Sequence, residues 1–439
     1  MRYGYMSAFQ PVLAMEALYH CLWKYRMIGR RLATADGHPV TVLSPGIHNH
    51  DAGPDFSNAR IRIDDTEWAG NVEIHVRASD WLRHGHDRNP AYDNVALHVV
   101  GVDDMRIRRR DGSVIPQVVI TLPQDTYSLY ALLSEGMESV RCARSLPQIP
   151  EINRIDWIES MGIARLHEKA GRIRQLLDSL GGDWQQALFI TLARALGFGL
   201  NSVPFELTAK SLPLNYLSRH SDNPQQLEAL LFGQAGMLDP ALPADDYYAM
   251  LCREYSFLAR KYSLHPIGRE LWKYARTRPA NFPHRRIAIL AGMLLDGFHL
   301  RDSLAEAKGD IDALRECFRS QASPYWQNHS TFGVSSSSSL SRTLSASAID
   351  LLLINVAAPF YFAYGPSKAN PDLAQAGCDL LRQLKAERNS IISHWETIGI
   401  KVKSAFESQA LLHLRNEYCE RARCLECRFG VKLLADRLR

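Results

Sequence analysis

The hydrophobic pattern of this chain changes period once, near Tyr127, and that change limits what it can fold into. Before it, apolar and polar residues alternate over short runs. In Ala59-Arg60-Ile61-Arg62-Ile63 this is the two-residue repeat of a half-exposed strand. After it, apolar residues recur at three- and four-residue spacing through 157–180, 184–196, 225–238, 247–262, 287–298 and 311–321, as in helices. Leu373–Leu384 and Ile392–Leu414 continue the helical pattern, and Arg269–Arg278 is a basic helical piece closed by Pro279 and Pro283. A chain of 439 residues exceeds one ordinary hydrophobic core, so two or three domains are expected. The class is α+β: a small sheet-bearing region, then a large, mainly helical remainder.

The sheet-bearing region reads as follows. Pro11–Arg26 carries Val12, Met15, Leu18, Tyr19, Leu22 and Trp23 at helical spacing, with Glu16 inside the helix. Val40–Leu43 is a short strand stopped by Ser44-Pro45-Gly46. A polar loop, 47–54, then delivers Asp55 to a strand at Asn58–Ile63. Asp64–Glu67 is turn-like, and Gly70–Val76 returns as the partner strand of a hairpin. Ser79 caps a short helix through His84, Asn89-Pro90 ends that segment, and Val95–Val102 is an apolar strand holding His98. A second hairpin is expected over Arg106–Leu122, about Asp111-Gly112. Through Val102 the order is helix, three strands, helix, strand.

Chemistry concentrates in the same stretch. Glu73 and His75 lie two apart on one strand and so share a face, while Asp55 opens the preceding strand. Two carboxylates beside an imidazole make a site for Mg²⁺ or Mn²⁺, with His75 orienting or deprotonating a water. The bland alternative is a turn Asp, an exposed strand Glu and an ordinary His. His84, His86 and His98 crowd around the segment. Metal ligation is one reading of these histidines, but on one helix His84 and His86 would point apart, which favours supporting or structural roles.

A second cluster lies near the C-terminus. Cys419-x₄-Cys424-x₂-Cys427 packs three of the eight cysteines into nine residues, too concentrated for packing alone. Zn²⁺ or an iron–sulfur cluster needs a fourth ligand, and Cys142 is the best candidate. Cys21, Cys252, Cys317 and Cys378 sit in helical patterns as small apolar residues. The cysteine usage does not fit a secreted disulfide framework, so a cytoplasmic location is expected. The longest apolar run, Ala348–Tyr364, is broken by Asp350, Asn355 and Pro359 and reads as a buried helix, with no membrane partner. A net charge of +4 is too small to argue a nucleic-acid partner by itself. Arg106, Arg108, Arg109 and Arg110, the 269–278 piece and Arg285-Arg286 could contact phosphates, although ordinary solvated charge is the favoured reading of any one cluster.

Pro54-Asp55 followed by Glu73-Ile74-His75, in that order of elements, resembles the PD-(D/E)xK nuclease superfamily. The resemblance implies a restriction-endonuclease-like αβββαβ core in residues 1–125, with Asp55 and Glu73 as metal ligands and Glu16 as an accessory acid. The superfamily usually has Lys where this chain has His75. One distant cysteine plus a C-terminal triplet is similar to the iron–sulfur staple of some helicase-nucleases of that superfamily. Residues 126–150 then form a linker with Cys142, 151–334 a helical domain, 335–347 a Ser-rich loop and 348–439 a C-terminal helical region. The chain as a whole also resembles an uncharacterised bacterial family defined only as a domain of unknown function. Ala52–Phe56, Gly70–His75, Ser79-Asp80-Trp81, His84, His86, Leu97–Val100 and the terminal cysteines carry that likeness. The expected activity is metal-dependent hydrolysis of DNA or RNA. The alternatives are a non-catalytic nucleic-acid-binding or assembly protein on a degenerate core, and a metal-dependent hydrolase for another substrate.

Overall fold

The structure, a computed structural model, describes residues 10–28, 32–242, 244–275, 277, 281–336 and 338–438, and the side chains of 10–14 lie outside that description. The expected inward position of Val12, the end of the basic piece at Arg276, Arg278 and Pro279, and Ser337 of the serine run therefore fall outside the described residues. The fold is mixed, an N-terminal sheet and a large helical region. The chain divides into two compact units. The first is Met1–Ile158 with His394–Ile400 and Leu412–Arg439; the second is Glu159–Ser393 with Lys401–Leu411.

In the first unit, helix α1 (Gln10–Lys24) precedes strands β1 (Leu32–Ala33), β2 (Pro39–Ser44), β3 (Ile47–His48), β4 (Phe56–Ile63) and β5 (Thr66–Arg77). A short helix α2 (Asp80–Arg83) and two 3₁₀ turns (His86–Arg88 and Pro90–Tyr92) lead to β6 (Val95–Val102) and then β7 (Gln117–Val119). The sheet order is β1-β2-β4-β5-β6-β7, with β3 paired to β4. Pairing is antiparallel as far as β5, whereas β5–β6 and β6–β7 are parallel. A parallel pair needs a crossover, and α2 with its two turns supplies it. β4 alternates as its sequence predicts, Ala59, Ile61 and Ile63 inward and Arg60 and Arg62 outward. β6 is buried from Val95 to Val100, as befits a strand flanked by parallel partners. Trp81, Tyr92, Val95, Val100 and Ile107 pack together beneath the crossover.

The second expected hairpin is reduced to a single antiparallel bridge, Arg108 to Val114, closed by the turn from Arg109 to Gly112. Pro116 has no N–H with which to extend that ladder, and its carbonyl instead accepts from His98 N at 2.9 Å. Gln117–Val119 then joins β6 in parallel.

The second unit is helical around a large core that includes Leu188, Phe205, Phe232, Leu258, Trp326 and Phe360. Several helices are shorter or shifted relative to their sequence pattern. Examples are Pro224–Gln234, Pro283–Gly292 and Ile311–Cys317. Two of these begin on a proline that suits a first helical turn. Of the 269–278 piece, only a 3₁₀ turn at Arg269–Leu271 is helical among the described residues. Ser335 belongs to a two-stranded ribbon with His329–Thr331 rather than to a loop. Helix Ala346–Ser367 is long and apolar enough to cross a membrane, but 67% of that apolar window is buried in the protein. Ile392–Leu414, expected as one helix, is two: Ser390–Thr397 and Ala405–Leu414, the first ended at Gly399.

Candidate functional site

The loop before β4 is folded around Asn49. Its backbone N–H bonds Asp55 O at 2.7 Å, its side-chain amide bonds Pro54 O at 3.1 Å, and its Oδ1 accepts from Asp51 N at 2.9 Å. Gly53, at φ 115°, makes the bend that no other residue type takes up freely. The loop thus delivers Asp55 to the mouth of β4, beside Glu73 of β5. The two carboxylates clasp each other's backbone: Asp55 N donates to Glu73 Oε2 at 3.1 Å, and Ile74 N donates to Asp55 Oδ2 at 2.9 Å. A register shift between Phe56 and Ala59, with Asn58 at φ 56° and its N–H on Asn71 Oδ1, accommodates this end of the hairpin.

Helix α1 adds two titratable groups one turn apart, Glu16 and His20. His20 Nε2 lies 3.1 Å from Asp55 Oδ2. Burial alone would lower the His20 pKa, but the close approach of Asp55 and the charges of Asp55, Glu16 and Glu73 outweigh that and raise it. Burial raises Glu16, only partly offset by His20, and its Oε1 is buried without a hydrogen-bond partner. Glu73 is pushed up to about 9, first by burial and then by the charge of Asp55. His20 was not among the residues singled out by sequence, although its four-residue spacing from Glu16 puts both on one helix face.

On its other side Glu73 meets imidazoles. Glu73 Oε1 is 3.0 Å from His86 Nε2 and 3.5 Å from His75 Nε2. His75 Nε2 is 3.2 Å from His84 Nδ1, and His75 Nδ1 is 2.8 Å from His98 Nε2. One ring nitrogen from each of His75, His84 and His86 lies within 4.8 Å of the other two. This overturns the expectation that His84 and His86 diverge. The helix ends at Arg83, His84 is its C-cap, and Gly85 at φ 73° turns the chain so that both rings meet the His75 ring. His98 stands opposite Glu73 in the parallel β5–β6 register. Burial, reinforced by the neighbouring imidazoles, drives the His75 pKa far below its usual value; it takes His98 down to about 3 and also lowers His84 and His86. Burial thus favours the neutral form of all four. The Tyr92 ring stacks on His86 with centroids 3.8 Å apart, and burial followed by the charge of Glu73 raises its hydroxyl to about 12.

The cysteines form a second centre in the same unit. Cys142 precedes a 3₁₀ turn (Ala143–Gln148), Cys419 ends a π-helical segment, and Cys427 caps helix Arg428–Arg437. Cys142, Cys419, Cys424 and Cys427 line one cavity with Arg141 and Trp395, and all four are unbridged thiols. Burial raises Cys142 well above the ordinary thiol value, and Cys427, Cys419 and Cys424 raise it further, as close neighbours do. Cys21, Cys252 and Cys378 are buried and Cys317 is half-buried.

The basic clusters are largely engaged. Arg106 pairs with Asp36 at 2.8 Å, Arg110 bonds Asp93, and Arg108 and Arg109 hold backbone carbonyls of the adjoining turn and of Val95. Arg285 and Arg286 are 2% and 7% exposed; Arg285 grips the carbonyls of Trp326 and Ser341, and Arg286 lies over the Phe198 ring. These last two are packing arginines.

The family model described as "Protein of unknown function (DUF2851)" matches residues 16–390. Glu16, the whole histidine and carboxylate cluster and Cys142 fall inside the match, and the C-terminal cysteine triplet follows it. No curated protein and no solved structure matches the chain.

Proposed function

We propose that this chain, which belongs to the DUF2851 family, is a metal-dependent phosphodiesterase that cleaves DNA or RNA on a restriction-endonuclease-like core. The order α1, antiparallel β2, β4 and β5, α2, then β6 supports the core, with Asp55 entering the second of those strands and Glu73 on the third. The observation that carries the reading is the clasp between Asp55 and Glu73. The buried Glu73 carboxylate beside the half-buried Asp55 and Glu16 is repelled by them unless a cation or a proton lies among them.

Mg²⁺ or Mn²⁺ held by Asp55 and Glu73 would polarise the phosphate and lower the pKa of a bound water. The chain's own residues supply the remainder. His75 is held neutral and can orient a water, but it cannot bring the positive charge that Lys gives the PD-(D/E)xK motif. His20 brings that charge instead, from α1, against Asp55. The four cysteines would hold Zn²⁺ or an iron–sulfur cluster, fastening Cys142 to the C-terminal segment, and their shared cavity supports this.

The alternative, a non-catalytic nucleic-acid-binding or assembly protein on the same core, is favoured by His75 at the Lys position. A cleavage assay with Mg²⁺ and Mn²⁺ on single- and double-stranded DNA and RNA separates the two. Cleavage by the wild type that is lost in Asp55→Ala and Glu73→Ala supports hydrolysis. Salt-sensitive binding with no cleavage in either metal supports the alternative.

A further inference from the structure

The imidazoles beside Glu73 are arranged in a way that hydrogen bonding alone does not account for. His86 Nε2 is buried, in a residue 8% exposed, and makes no hydrogen bond although Glu73 Oε1 is only 3.0 Å away. The distance is right for a hydrogen bond and the alignment is not. Such an atom carries a desolvation cost that an uncompensated site would not keep. The spacings within the cluster come close to those of atoms sharing an ion. Bonds of about 2.0–2.2 Å in a tetrahedron put neighbouring ligand atoms roughly 3.3–3.6 Å apart. His75 Nε2 is 3.2 Å from His84 Nδ1 and 3.5 Å from Glu73 Oε1, and one ring nitrogen from each of the three imidazoles lies within 4.8 Å of the other two.

The shell around these atoms fits as well. A ligating imidazole commonly donates its other N–H to an acceptor that fixes its tautomer. With its proton on Nδ1, His75 donates to His98 Nε2 at 2.8 Å, which leaves the His75 Nε2 lone pair free to face the cluster. Tyr92 stacks on His86 and Trp81 meets its edge, so the ring is held from two sides. Glu73 turns Oε2 to the Asp55 amide and Oε1 to the imidazoles, so its two oxygens face two different neighbourhoods.

We infer that His75, His84 and His86, with Glu73 Oε1, form a binding site for an imidazole-preferring divalent transition metal of the Zn²⁺ or Co²⁺ class. This is distinct from the carboxylate-bound Mg²⁺ or Mn²⁺, from which it differs in ligand type. The inference rests on the proposed reading only for the part the site would take in hydrolysis. It makes His75 a ligand and leaves proton transfer in the centre to His20. Glu73 becomes the carboxylate common to both ions.

The test is zinc binding, read without any activity. Full-length wild type, His84→Ala, His86→Ala and Asp55→Asn are stripped with a mild chelator that leaves the cysteine centre filled, then titrated with Zn²⁺. Metal content is measured alongside, and Co²⁺ is used in parallel for its visible absorption. His84 is exposed, so His84→Ala leaves the fold intact, and melting in chelator checks this. The expected result is one more Zn²⁺ bound by wild type than by His84→Ala, or at least a tenfold weaker affinity in both histidine variants. Asp55→Asn keeps the site, and a large excess of Mg²⁺ does not displace the zinc. Equal zinc affinity in wild type and a folded His84→Ala overturns the inference, and so does displacement by Mg²⁺ at comparable concentration. A protein that binds zinc in this way yet cleaves nothing would sink the phosphodiesterase reading and leave the metal site standing.

Discussion

Glu73 should make the metal-free protein progressively less stable as pH rises, and a divalent cation should abolish that dependence. Burial and Asp55 raise its pKa from 4.5 to about 9 in the folded state. The folded protein therefore holds the proton more tightly than the unfolded chain does. The resulting stabilisation is complete below pH 4.5 and is lost as pH climbs towards 9. At 1.36 kcal/mol per pH unit, the interval from pH 5 to pH 8 spans about 4 kcal/mol. For a unit of this size that is roughly 8–16 °C in melting temperature. The assay is thermal melting in chelator across this range, comparing wild type with Glu73→Gln, an uncharged isostere of the protonated acid. The wild type should lose stability relative to the variant by about 1.4 kcal/mol for each pH unit. Saturating Mn²⁺ should flatten the difference, because the ion replaces the proton. A difference that stays constant from pH 5 to 8 in chelator would refute the proposed electrostatics of the carboxylate pair.

Three further outcomes follow from the same geometry. His20→Gln should slow cleavage by about 10²-fold or more, and it should remove the fall in activity on the alkaline side where His20 loses its proton; an unchanged pH–rate profile would exclude a charged role for it. Gly85→Ala introduces a Cβ that meets nothing within 4 Å, so its cost is the left-handed backbone alone, about 1–2 kcal/mol, read as a lower melting temperature; no change would mean that the turn between His84 and His86 is not under this constraint. Cys142→Ala should remove the same metal or the same visible absorption as Cys427→Ala, brown for an iron–sulfur cluster and colourless for zinc; a Cys142→Ala protein that retains its full metal content would detach Cys142 from the centre.

Much of the carboxylate site was legible in the chain because it depends on local period. Glu73 and His75 share a strand face by spacing alone, and Asp55 follows a loop whose turn residues force it to the start of a strand. The clasp between Asp55 and Glu73 was not legible, since it depends on strand register and on the shift at Phe56–Ala59, which no spacing reports. His84 and His86 were misjudged for a related reason. Helical spacing separates them, but the helix stops one residue earlier and Gly85 reverses the geometry. His20 is within reach of sequence reasoning, one turn beyond Glu16, but helical spacing alone does not report that this face meets Asp55. Cys142 was paired with the terminal triplet by elimination, and the shared cavity brings the four together. Arg285 and Arg286 show the opposite case: adjacent arginines read as solvated charge or as a phosphate contact, and both are instead buried by helix packing that composition does not encode.

The most direct test of the Asp55–Glu73 cation site is a calorimetric titration of Mn²⁺ at pH 8, repeated in two buffers of different ionisation enthalpy. Binding to the wild type should expel the Glu73 proton and give a heat that changes with the buffer, while Asp55→Asn and Glu73→Gln should lose that binding event. Mn²⁺ binding with the same affinity in all three proteins, and with no proton released at pH 8, would contradict a cation held between these two carboxylates.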